Sequence, residues 1–139
     1  MAALTAGRRT PRRNGDRVSH PLAAGAAVFG GGLVCLDASG WLVPGAAATG
    51  LTCVGVAAET VSNAGGAAGA ARADVDRYGA HRFDNDAADP VGRTRIGKPA
   101  YMVDDHTLAA TAGNDGGNPT RSAAGTVIDV DADGVWITF

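Results

Sequence analysis

The chain has 139 residues, a net charge of −2 and 45% hydrophobic residues, but 29 of those are alanine and only seven residues are aromatic. That length is one domain's worth of chain, and its apolar runs stay well short of the ~18 residues a membrane span requires. Arg8, Arg9, Arg12, Arg13 and Asp16 interrupt the first thirty residues where a secretory leader would carry its apolar stretch, so the chain reads as a soluble product of the cytosol with no membrane partner.

With 21 glycines beside the alanines, side chains of one carbon or none exceed a third of the sequence. A core of such residues removes little area from water at ~25 cal/mol per Å², against an ordering cost of about 1–2 kcal/mol per residue. Stabilisation from outside the fold is therefore expected, through self-association or docking on a larger partner. Cys35 and Cys53 are too few for a disulfide framework and lack a CxxC or a paired histidine, so both read as small buried apolar residues.

Residues 1–17 read as an extended basic arm. Arg8, Arg9, Arg12, Arg13 and Arg17 against Asp16 give it +4, leaving −6 on residues 18–139. GRRTPRRNGD shows no apolar periodicity, Pro11 forbids a helix interior, and Asn14-Gly15 signals a turn where the body begins. Fully extended, seventeen residues reach up to about 60 Å, far enough to bridge neighbouring subunits. The plain alternative is a solvated tail. Clustered arginines also fit phosphates, but an acidic body and the lack of any RNP-like aromatic pair, GXXG loop or helix-turn-helix pattern argue against nucleic acid.

The body, residues 18–139, reads as all-β: a compact antiparallel sandwich or barrel of short strands and hairpins. Its apolar runs are short and are closed by Gly, Pro, Asn or Asp every eight to twelve residues or so. Leu33–Leu36 and Trp41–Pro44 form a hairpin around Asp37-Ala38-Ser39-Gly40, and Leu51–Ala58 is a longer strand. SNAGGAAGAA, beginning at Ser62, holds no large side chain and reads as a flexible surface loop. RADVDRYGAHRF, beginning at Arg72, reads as one strand bent near Gly79. One short helical turn is expected after Asp89-Pro90, as N-cap and first-turn proline, ending at Gly97. Two hairpins follow: Ala100–Val103 with Thr107–Thr111, and Gly125–Val130 with Val135–Phe139.

Candidates for chemistry are few. Asp129, Asp131, Asp133 and Gly134 match the first half of an EF-hand loop, but the bidentate Glu would fall beyond Phe139 and no helices flank the motif. A tight turn with carboxylates on the solvent face accounts for all of them. His20, His81 and His106 lie in separate segments without a second ligand at helical or strand spacing. Gly30-Gly31-Gly32 precedes a strand, where a phosphate-cradling loop would precede a helix. Asp84, Asp86 and Asp89 crowd one loop, and Glu59 is the single glutamate, so no acid–base pair stands out. The sequence is thus read as non-enzymatic, without metal or other cofactor.

The order of its segments is informative where single motifs are soft. GRRTPRRNGD, AAGAAVFGGGLVCLDASGWLVPGAAATGLTCVGVA, RYGAHRFDN, IGKPAYMVDDHTLA and RSAAGTVIDVDADGVWITF together resemble the small capsid cement, or decoration, proteins of tailed bacteriophages, over residues 4–139. The resemblance implies a virion protein on the outer capsid surface, made in the host bacterial cytoplasm, that stabilises the lattice of major capsid protein. It also implies self-association, commonly as a homotrimer, and no catalytic residues. On this reading Arg8, Arg9, Thr10, Pro11, Arg12, Arg13 and Arg17 form the clamping arm. Two further readings stay open: a nucleic-acid-binding β-barrel with a basic arm, and a host-surface or carbohydrate-binding protein that displays Trp41 or Trp136.

Overall fold

A computed structural model describes residues 2–139, which leaves Met1 of the expected arm outside the described residues. Residues 2–16 carry no helix or strand and are exposed throughout. Twelve strands follow: β1 (Arg17–Pro21), β2 (Ala27–Val28), β3 (Leu33–Leu36), β4 (Leu42–Pro44), β5 (Thr52–Ala57), β6 (Val61–Ser62), β7 (Arg72–Asp76), β8 (Ala80–Asn85), β9 (Pro99–Met102), β10 (Thr107–Ala109), β11 (Ala123–Asp131) and β12 (Gly134–Thr138). The all-β expectation holds. The strands form a five-stranded sheet in the order β1-β7-β5-β3-β4, a closed barrel β10-β8-β12-β11-β9, and the small pair β2-β6. Every pairing between these strands is antiparallel except β8 with β10.

The five-stranded sheet curls on itself. Leu22, just past β1, bridges to Leu42 of β4, and Ala23 N donates to Leu42 O at 3.0 Å. This curl encloses one core of Leu22, Val28, Val34, Leu42, Ala57, Ala73 and Val75. A second core fills the barrel with Met102, Leu108, Val127, Val135 and Ile137, and reaches Leu33, Cys35 and Val56 on the sheet. Strands β3 and β5 serve both cores by alternation: Leu33 and Cys35 face the barrel, while Val34 and Leu36 face the curl. That is why LVCL is continuously apolar, since a strand buried on both faces has no solvent side to mark with polar residues. Each fully buried Leu or Ile contributes roughly 1.5–3 kcal/mol, which offsets the many alanines.

Turn chemistry fixes the hairpins. Asp37 Oδ1 accepts from Ser39 N and Trp41 N at 2.9 and 3.0 Å, closing the β3–β4 turn. Asp131 Oδ1 accepts from Asp133 N and Gly134 N at 2.8 and 3.1 Å, closing β11–β12. Ser122 ties sheet to barrel, donating to Ala48 O at 2.7 Å and accepting from Leu51 N at 3.1 Å.

Two local expectations are corrected. The segment from Arg72 to Phe83 is two strands of different sheets, because the turn at Tyr78-Gly79 carries the chain from β7 on the sheet to β8 in the barrel. The helical turn is a single 3-10 turn at Arg93–Arg95, and Gly92 precedes it instead of Asp89. Asn85 explains the delay: its side chain accepts from Val91 N at 2.7 Å and donates to Val91 O at 2.9 Å, holding residues 86–91 as a loop with Val91 buried. The segment after Ser62 is a surface loop as expected, anchored at its start by buried Asn63, whose Nδ2 donates to Ala23 O and Ala67 O, both at 2.9 Å.

Candidate docking face

The arm leaves the body at one end of the five-stranded sheet. Arg17 stands opposite Asp76 in the β1–β7 pair, Val56 opposite Asp76 in β5–β7, and Leu33 opposite Val56 in β3–β5, so these four strands share that end. Arg17 itself is corrected from arm to body. Its Nε donates to Asp76 Oδ1 at 2.6 Å and Nη2 to Oδ2 at 3.1 Å, a forked pair whose field, with Asp74 and Glu59, raises its pKa. The free arm is therefore residues 2–16. Among the described residues, Arg8, Arg9, Arg12 and Arg13 meet no carboxylate, and Thr10 and Pro11 lie exposed between them. Arg13 stays within electrostatic reach of His20, whose pKa is lowered by burial first and then by Arg72, Arg13 and Arg77.

Two exposed aromatics stand at the same end. Phe29 is 61% exposed in the loop before β3, held where Gly32 N donates to Phe29 O and Gly31 N to Ala57 O. Tyr78 is 76% exposed, two residues beyond the end of β7. Sequence reasoning missed both as surface residues, since an aromatic beside a strand reads by default as core. The barrel adds its Asp104–His106 turn to this end, for Leu33 N donates to Asp105 O at 2.7 Å.

His106 Nδ1 lies 2.8 Å from Asp105 Oδ1 and 3.2 Å from Asp104 Oδ1, and these neighbours raise its pKa. The sequence offered no ligand C-terminal to His106; the fold shows that its partners precede it. Asp104 Oδ1 also accepts from His106 N at 2.9 Å, so the trio is accounted for as a self-satisfied turn.

The remaining sequence candidates are engaged locally. Among the described residues no pocket opens. Trp41 and Trp136 are both partly buried. Trp136 Nε1 donates to Asp131 Oδ2 at 2.8 Å, and the Arg82 guanidinium lies 5.9 Å from its ring centroid. Asp129 faces Arg93 at 3.3 Å and Asp133 faces Arg82 at 3.8 Å. His81 and Phe139 pair as rings 5.6 Å apart.

Compared with known proteins, the chain matches no family model, no curated protein and no solved structure.

Proposed function

We propose that this chain is a non-enzymatic structural protein that binds the outer surface of a tailed-phage head and cements the lattice of major capsid protein. The observation that carries the reading is the convergence at one end of the body of a free basic arm, with four unpaired arginines on residues 2–16, and the exposed aromatics Phe29 and Tyr78. The ordered likeness of its segments to phage decoration proteins supports it. Self-association, as a trimer, belongs to the same proposal, as do assembly on the virion and synthesis in the host cytoplasm. Residues 18–139, at −6, disfavour nucleic acid as the partner.

The two kinds of contact differ in weight. An exposed ion pair contributes under about 1 kcal/mol, whereas an aromatic anchor buried at an interface costs about 2–4 kcal/mol when truncated. The aromatics would hold each copy in place, and the arm would add reach and multivalency.

Binding to undecorated, expanded phage heads tests the reading. Removing residues 1–16, or the paired change Phe29→Ser with Tyr78→Ser, is expected to lower occupancy while the body stays folded. Full occupancy by both variants, or no binding by the unaltered chain to any expanded head, overturns it. Tight DNA binding at physiological salt that weakens steeply as salt rises would favour the nucleic-acid alternative.

A further inference from the structure

Cys35 and Cys53 lie far apart in sequence terms for a hairpin, yet the fold sets them directly opposite each other on β3 and β5. We propose that this cross-strand pair is a disulfide-forming site, reduced when the protein is made and closed by exchange with a low-molecular-mass disulfide once the protein meets an oxidising medium. The inference is independent of the capsid reading.

Directly opposed residues of an antiparallel pair have Cα atoms about 4.5–5.5 Å apart, inside the window of about 4.4–6.8 Å that a disulfide spans. The pairing register therefore brings the two Cα atoms within the reach of a disulfide. The ladder shifts register beside the pair, between Val34 and Cys35, an irregularity of the kind that re-aims neighbouring side chains. The two thiols also have unequal surroundings. Cys53 is partly exposed, while Cys35 is fully buried with its Sγ 3.3 Å from Met102 Sδ. The neighbouring Cys35, and to a smaller degree the backbone N–H of Gly55, hold the Cys53 thiol below the ordinary thiol range against the opposing effect of burial, while Cys53 and burial push the Cys35 thiol up. Attacker and resolving thiol are thus already distinguished.

The exchange runs in two balanced steps. The Cys53 thiolate attacks one sulfur of the small disulfide, forming a mixed disulfide and releasing one small thiolate. Cys35 then gives its proton to that released thiolate, and its sulfur attacks Cys53 Sγ. A Cys35–Cys53 bond forms, and the second small thiol leaves as thiolate. The protein is oxidised by two electrons and the small disulfide is reduced to two thiols.

The test treats the full reduced chain with oxidised glutathione. Expected results are a mass lower by two hydrogens, loss of both titratable thiols in denaturant, and a linked pair of peptides containing Cys35 and Cys53. The closed loop should raise the thermal midpoint by on the order of 10 °C. Cys35→Ala should accumulate the glutathione adduct at Cys53. Two thiols still titratable after treatment, or adduct at Cys53 with Cys35 left free in the unaltered chain, overturns the proposal. Peptide mapping on the unaltered chain decides even if a variant fails to fold.

Discussion

Asp89 and Arg121 approach to 2.8 Å, Oδ2 to Nη1, with side-chain exposures of 26% and 19%, the ion pair most withdrawn from water among the described residues. Asp89 Oδ2 also accepts from Thr111 Oγ1 at 2.6 Å and Thr111 N at 3.2 Å, while Arg121 donates to Thr111 O at 3.2 Å. Three segments meet at one carboxylate, which fastens the long connection between β10 and β11. Asp89→Ala should therefore destabilise the protein by about 1–3 kcal/mol, because Arg121 loses its partner in a half-buried place. Asp89→Asn keeps an acceptor for Thr111 and should cost less. Urea unfolding of the three proteins measures both differences.

The two shifted histidines should pull stability in opposite directions with pH. His106 is raised, by the hydrogen bond to Asp105 first and by Asp104 next, so its contribution is present below the unfolded value of 6.5 and is lost as pH rises through the folded pKa. His20 is lowered, so protonation opposes folding once pH drops below 6.5. Accordingly His106→Ala should cost more stability at about pH 5.5 than at about pH 8, and His20→Ala should relieve a penalty at the acid end. Ring-proton titrations should place His106 above 6.5 and His20 below it. Asp89 and Asp131 are both lowered, so their contributions stand above 3.8 and fade as pH falls through their folded values.

Much of this fold was legible because its hairpins carry their own instructions. Asp37 to Gly40, and Asp131 to Gly134, write turn type and register into four residues each, and the structure places strands on either side. The sheet change between Asp76 and Ala80 was not legible, since Tyr78-Gly79 marks a bend equally well within one strand or between two sheets. Nor was the fate of Asp89, whose sequence context is that of a helix cap; Asn85 and Arg121 claim its neighbourhood from afar. At the candidate site the charges of Arg8, Arg9, Arg12 and Arg13 read directly from the sequence. Arg17, only four residues on, belongs to a sheet because of its partner Asp76, fifty-nine residues away. The exposure of Phe29 and Tyr78 is set by where loops end, which local pattern does not encode.

Gly55 should tolerate no side chain. Its φ of +145° is a conformation that L residues rarely adopt, and a Cβ there would press into the Asp76 carbonyl and lie 2.9 Å from Val75 Cγ1. The residue sits where β5 is pinched between β3 and β7, so neither neighbour can retreat without breaking a ladder. Gly55→Ala is expected to cost about 2–4 kcal/mol or to abolish folding, whereas Gly7→Ala, with open space around it, should stay within about 0.5 kcal/mol. Thermal melts followed by circular dichroism separate the two outcomes.

The aspartates that imitate a calcium loop should ignore calcium, since their oxygens already have partners. Both oxygens of Asp131 are occupied, Oδ1 by the Asp133 and Gly134 amides and Oδ2 by the Trp136 indole. Asp129 faces Arg93, and Asp133 lies near Arg82, so a cation would have to displace two guanidinium groups as well as the turn amides. An excess of calcium over chelator should therefore leave the thermal midpoint and the Trp136 emission unchanged. Asp131→Ala should instead loosen the β11–β12 turn and shift that emission, because three donors lose one acceptor group, and Asp131→Asn should restore part of it. A calcium-dependent rise in the midpoint that disappears in Asp131→Asn would show that the cation wins over the turn.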